Sequence, residues 1–178
     1  MAIWQFSIEF IPRENLINYF GAIPEKIDEE KYWNDDFAEG VKLPEAYEDF
    51  LGSLAAKEKL KWTEASYNWG DYDNGTHISI DLQDKDKVTV DARFHVEEWN
   101  ENFVKTVLEF AKMCDCVLLT NNRTIFEPEL DLFIDEFKKS NAYKFCKDPT
   151  GYLQSDEVKQ LNKEIKKKLA DNEFNFNC

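Results

Sequence analysis

Two histidines, four cysteines and 36 acidic side chains are the groups in this 178-residue chain that could do chemistry. His95 precedes Glu97 and Glu98, the residue types that general acid–base catalysis uses. His77 and His95 fall on strands expected to be neighbours, so their rings could approach across a ladder. The plainer reading is a pair of surface or strand-end histidines. No G-x-S-x-G elbow supplies a serine nucleophile, and no H-E-x-x-H supplies a zincin site. Cys114-Asp115-Cys116 is C-x-C, not the C-x-x-C of zinc ribbons and redox folds, and thiols in a cytosolic chain are expected to be reduced.

The acids offer more candidates and less discrimination. Asp71-Tyr72-Asp73-Asn74-Gly75 looks like the start of a calcium loop. Gly75 falls one place too early, however, and Leu82 stands where a bidentate glutamate is needed. A hairpin turn explains the same residues. Paired carboxylates suit glycosidase chemistry, with Tyr67, Trp69, Tyr72 and Asp71 as a possible cleft wall, but among so many acids some pair always fits. The six glycines never fall in the order of a phosphate-binding loop. No catalytic residue, metal or cofactor is assigned, and the reading leans away from an enzyme.

Charge says more. Residues 1–154 hold 31 Asp and Glu against 17 Lys and Arg, whereas residues 155–178 hold five of each sign. A body this acidic repels nucleic acid and anionic membrane and attracts cationic partners. Lys163 to Lys168 are the one basic run, on a segment that is neutral as a whole. Met1–Phe6 has neither the basic start nor the apolar run of a secretory leader, and no apolar stretch is long enough to cross a membrane. The expected compartment is the cytoplasm.

Within the acidic body, residues 28–39 set Tyr32, Trp33 and Phe37 among Asp28, Glu29, Glu30, Asp35 and Asp36. Aromatic anchors with charges at the rim are the anatomy of a protein-binding surface. In the competing reading, weighed more heavily, the three aromatics seal one edge of the core while the acids face water.

These residues need a scaffold. Trp4, Phe6, Ile8 and Phe10 alternate with Gln5, Ser7 and Glu9, a half-buried strand ended by Pro12. Residues 13–20 follow as a short helix. A helix is expected after Pro44, with Tyr47, Phe50, Leu51 and Leu54 on one face. From Trp62 the period becomes two. Strands over 62–69, 78–82 and 88–94 make an antiparallel meander, its first turn at Asp73-Asn74-Gly75. Trp99, Phe103, Val107, Phe110 and Cys114 mark a helix over 98–114. Val117 to Leu119 is a buried strand, and 124–126 a brief return. Pro128 opens a helix carrying Leu130, Phe133, Ile134 and Phe137. Residues 140–153 read as an aromatic-rich connector, and 155–171 as a helix with the narrow stripe Val158, Leu161, Ile165 and Leu169.

The expected fold is α+β: a mainly antiparallel sheet with helices packed on one face. Residues 1–154 form a single acidic domain. Residues 155–178 are a helical extension packed on it, or pairing with another chain as a homo-oligomer contact. In size, acidity and lack of catalytic residues the chain is similar to small bacterial immunity-type proteins. That similarity of profile implies a module that holds a basic protein partner. The alternatives are an enzyme with a carboxylate-based site in an aromatic cleft, and a self-associating structural protein.

Overall fold

The computed structural model describes residues 4–28, 31–32, 37–60, 65–73, 75–82 and 87–173. These form a seven-stranded antiparallel sheet and seven helices, the expected α+β class. The strands are β1 (Gln5–Pro12), β2 (Lys57–Lys59), β3 (Ser66–Gly70), β4 (His77–Asp81), β5 (Thr89–His95), β6 (Cys116–Thr120) and β7 (Ile125–Phe126). Their order across the sheet is β2-β3-β4-β5-β1-β6-β7. The helices are α1 (Arg13–Phe20), α2 (Tyr47–Gly52), α3 (Glu101–Met113), α4 (Leu130–Lys139), α5 (Asn141–Lys147), α6 (Pro149–Gln154) and α7 (Asp156–Glu173).

The first strand to be made becomes the middle of the sheet. β1 pairs with β5 on one side and β6 on the other, antiparallel to both. β5 and β6 therefore run parallel to each other with β1 between them, and α3 carries the chain across. The alternation of β1 decides what α3 meets. Phe6, Ile8 and Phe10 join Val90, Ala92 and Phe94 of β5 in the main core, against Phe103, Val107 and Phe110 of α3. Phe133 and Phe137 of α4 complete this layer, with both rings 5.5 Å edge-on to Phe6.

The start of α3 is set by Asn100, whose side-chain oxygen accepts the Phe103 N–H at 3.0 Å. Removing that acceptor leaves one of the first-turn donors unsatisfied. Asn100→Ala is expected to lower stability by about 1 kcal/mol in chemical denaturation. An unchanged midpoint would mean that the cap contributes nothing at this site.

A second, smaller core lies on the reverse face. Ile11, Val117, Leu119 and Ile125 meet Leu16 of α1 together with Ile27 and Phe37. β6 is thus buried on both faces, which explains why Val117, Leu118 and Leu119 are a continuous apolar run and not an alternating one. α1 ends at Gly21, whose positive φ of 76° lets its N–H bond the Ile17 carbonyl at 2.8 Å.

Three details depart from the sequence reading. β2 was not expected: Lys57, Glu58 and Lys59 are all exposed and carry no apolar alternation, so their strand character comes only from pairing with Lys57 opposite Trp69. Asn74 of the expected turn lies outside the described residues, and β3 and β4 end and begin at Gly70 and His77, too far apart for a two-residue turn. β3 stops at Gly70 (φ 115°), where a Cβ would lie 2.3 Å from the Thr76 carbonyl oxygen. The 140–153 connector is two short helices, capped by the side chains of Ser140 and Asp148.

α7 is joined to this end of the molecule by the Lys144–Glu157 ion pair at 2.9 Å. The stripe residues Leu161, Ile165 and Leu169 lie outside the described side chains. No described helix is long and apolar enough to cross a membrane.

Candidate functional site

The pleat that sends Phe6, Ile8 and Phe10 inward sends Gln5, Ser7 and Glu9 to the opposite face. Register then decides their neighbours. Glu9 stands directly opposite Asp91, and Ser7 opposite Arg93. One strand further, Ser79 faces Asp91 and His77 faces Arg93. Two carboxylates thus occupy paired positions in the centre of the sheet, on the face that carries no long helix. Like charges directly opposite in an antiparallel pair destabilise it.

These side chains line a cavity of about 350 Å³ whose wall includes Ser7, Glu9, Asp91, Arg93 and Asn121, with Tyr32 at its edge. The Tyr32 hydroxyl donates to Glu9, while the Arg123 guanidinium lies 3.5 Å from the centre of its ring. Burial and the bond to Glu9 push the Tyr32 hydroxyl up to about 12. Tyr32 therefore keeps its proton and acts as a donor.

Asp91 has no such support. Among the described residues it makes no hydrogen bond and no ion pair. Burial raises its carboxyl from the ordinary 3.8 to about 6, with Arg93 opposing the rise and Glu9 adding to it. A carboxyl that titrates near neutral pH beside a second carboxyl is an unusual thing for a sheet to hold without a partner.

The same face holds further unmatched polar atoms. Asn68 Oδ1, Ser79 Oγ, Arg93 Nε and His95 Nδ1 are shut off from solvent and have no hydrogen-bond partner. Ser79 is 7% exposed and lies beside Asp91. His77 is fully buried under the Tyr72 ring, 4.8 Å away. Its Nδ1 lies 3.1 Å from the Asp71 carbonyl oxygen, which can only accept. The proton is therefore on Nδ1, and Nε2 is left as an acceptor without a partner. Burial, helped by Arg93, lowers the His77 pKa and keeps the ring neutral. Buried polar groups normally find partners, so a concentration of unmatched atoms on one sheet face calls for an explanation.

The residues singled out from the sequence divide. Tyr32 reaches the site just described. Phe37 is 4% exposed and turned inward, stacked on Phe20 at 5.5 Å and edge-on to Tyr19 at 5.0 Å. Asp28 is exposed, and its carbonyl accepts the Tyr32 N–H at 2.9 Å. Trp33, Glu29, Glu30, Asp35 and Asp36 lie outside the described residues.

The supposed wall of Tyr67, Trp69, Tyr72 and Asp71 does not form. Trp69 is 1% exposed in the main core against Tyr47, while Tyr72 covers His77 on the other face. Trp69 thus points into the core from β3, whereas Tyr72, in the loop after Gly70, lies across the sheet from it, so the two do not line one cleft. His77 is opposite Arg93 and not His95, so the two imidazoles are diagonal neighbours. Cys114 and Cys116 are buried, and burial pushes both thiols up to about 12, away from nucleophilic use. Among the described residues, no three His, Cys, Asp or Glu side chains are grouped as a metal site needs.

Glu9, Asp91 and Arg93 were not singled out from the sequence. Their signal was present as the polar positions of two alternating strands, but nothing local said that those strands pair.

The chain matches no family model, no curated protein and no solved structure.

Proposed function

We propose that this chain is a protein-binding module that takes a cationic side chain of a basic partner between Glu9 and Asp91. The observation that supports it best is Asp91 itself, a carboxyl opposite another carboxyl with no hydrogen-bond or ion-pair partner among the described residues. A lysine or arginine placed between them would relieve the repulsion, and the cavity of about 350 Å³ has room for one. Arg93 offsets one of the two charges, so the lining is negative by one. The formal −14 of the whole chain would steer a basic protein to this face. Tyr32 supplies an amphipathic rim, and the sequence around it carries further acids at 28–30 and 35–36.

The reading is tested by capture from native lysate at low and high salt, comparing the wild type with the Glu9→Gln/Asp91→Asn double variant. A basic protein retained by the wild type at low salt, weakened by salt and lost from the double variant is the expected result. Equal retention by both proteins would sink the assignment to this pair. Tyr32→Phe should weaken capture less, since it removes one donor and leaves both charges.

One observation favours a carboxylate-based enzyme as the second reading: a carboxyl that titrates near 6 in a cavity is the kind of group general acid–base chemistry uses. It is separated from the first by turnover of a small substrate without a retained protein partner.

A further inference from the structure

We propose that the site between Glu9 and Asp91 selects a lysine ammonium over an arginine guanidinium and that Tyr32 sets the choice, a selectivity that rests on the cation-binding function put forward above. The two carboxylates stand directly opposite in the β1–β5 pair, where Cβ atoms lie about 4.5–5.5 Å apart. An ammonium donates through tetrahedrally arranged hydrogens at about 2.8 Å, so two acceptors on it lie about 4.6 Å apart. One compact cation therefore matches the spacing of the pair.

What each carboxylate has left decides between the two cations. Glu9 Oε2 accepts the Tyr32 hydroxyl, which burial and this bond keep protonated. Oε1 remains. Glu9 and Asp91 are half-buried and their remaining oxygens keep surface on the cavity, unlike Ser79 Oγ and Arg93 Nε, which are closed off. A guanidinium gains its advantage by laying two parallel N–H bonds on both oxygens of one carboxylate. On Glu9 that fork is blocked, because Tyr32 holds one of the two oxygens. Asp91 offers both oxygens, but a fork there sets a second guanidinium beside Arg93, whose charge already acts on this carboxyl. It also uses its parallel donors on one carboxylate, whereas the repulsion is between two. An ammonium divides its three donors between both.

Tyr32 is fixed for this role before a cation arrives. The Arg123 guanidinium lies 3.5 Å from its ring centre, and its own N–H donates to the Asp28 carbonyl at 2.9 Å. Ile27 and Phe37, both buried in the second core, anchor the chain on either side of it. The hydroxyl is thus part of the site's shape and not an incidental contact.

The test is amide-resolved NMR of the full chain near pH 7, where Asp91 is mostly ionised. The probes are the capped tripeptides Gly-Lys-Gly and Gly-Arg-Gly, and the first of these with its lysine Nε-acetylated. Saturable shifts at residues 7–9 and 89–93 with the lysine peptide, roughly tenfold weaker binding of the arginine peptide, and no response to the uncharged acetylated one are the expected result. Tyr32→Phe opens the second Glu9 oxygen. It should weaken lysine slightly, strengthen arginine and bring the two within about threefold of each other. A tyrosine with only a structural role would weaken both alike. Arginine bound as tightly as lysine by the wild type, or an unchanged ratio in Tyr32→Phe, would overturn the selectivity. If Tyr32→Phe does not fold, the wild-type ratio decides alone. The Glu9→Gln/Asp91→Asn double variant should lose the lysine peptide. If it loses both peptides but the wild type prefers arginine, the selectivity fails and the cation site stands. If the double variant keeps the lysine peptide, or the wild type shows no saturable shift, the site fails and the selectivity with it.

Discussion

Asp91→Asn is expected to stabilise the fold by about 3 kcal/mol near pH 8 and to leave it unchanged near pH 3. The sign follows from the raised carboxyl, about 6 in the folded protein against 3.8 for an ordinary aspartate. An acid whose pKa rises on folding holds its proton more tightly in the native state. Its protonated form is the stable one, so stability falls as pH climbs through the window from about 4 to about 6 and stays reduced above it. Asparagine keeps the shape and never carries the charge. The gap between variant and wild type should therefore open across that window and then level off. Urea unfolding of both proteins over a pH series measures it. A variant less stable at pH 8, or a gap that does not change with pH, would contradict the picture of an unsupported carboxylate. The same substitution should weaken the basic partner, giving a protein that is more stable and binds less. That opposition is expected where a group is held ready for a ligand and not for the fold.

Phe133→Ala is expected to remove about 3–5 kcal/mol, the range for deleting a fully buried phenyl ring. Phe133 is 0% exposed and sits at the centre of the aromatic cluster. Its ring is 4.9 Å from Phe94, 5.5 Å from Phe6 and 6.2 Å from Phe137, and Trp99 closes the outside at 6.2 Å. These contacts join α4 to β1 and β5, so the cavity left behind has rigid walls on the sheet side and cannot collapse easily. Phe133→Leu should lose less than half as much. Against a typical total of 5–15 kcal/mol, the alanine variant would be marginal at best. Equilibrium unfolding at constant slope is the measurement; a loss below about 1 kcal/mol would mean that α4 is held by something other than this cluster.

Particular elements show what was legible in the amino-acid order. β1, α3 and α4 announce themselves through periods of two and 3.6, because each buries one face against the same core. Asn100 and Ser140 cap helix starts, a local signal that neither the stripe over 98–114 nor the reading of 140–153 as a connector uses. β2 was illegible because an exposed edge strand has no apolar pattern to read. Phe37 shows the converse. An aromatic among acids could be an anchor or a seal on the core; Phe37 is buried in the second core, stacked on Phe20 with the exposed Tyr19 edge-on outside it.

The candidate site is of another kind. By itself the sequence determined that Ser7, Glu9, Asp91 and Arg93 lie on the polar faces of two strands, since side-chain alternation is a local property. Only the tertiary structure decided that β1 inserts between β5 and β6, in the register that sets Glu9 against Asp91. Pairing between strands so distant in the chain depends on how α3 crosses the sheet and which faces bury together. A slip of one residue would have turned Glu9 into the core, so the burial of Phe6, Ile8 and Phe10 holds the two carboxylates in place.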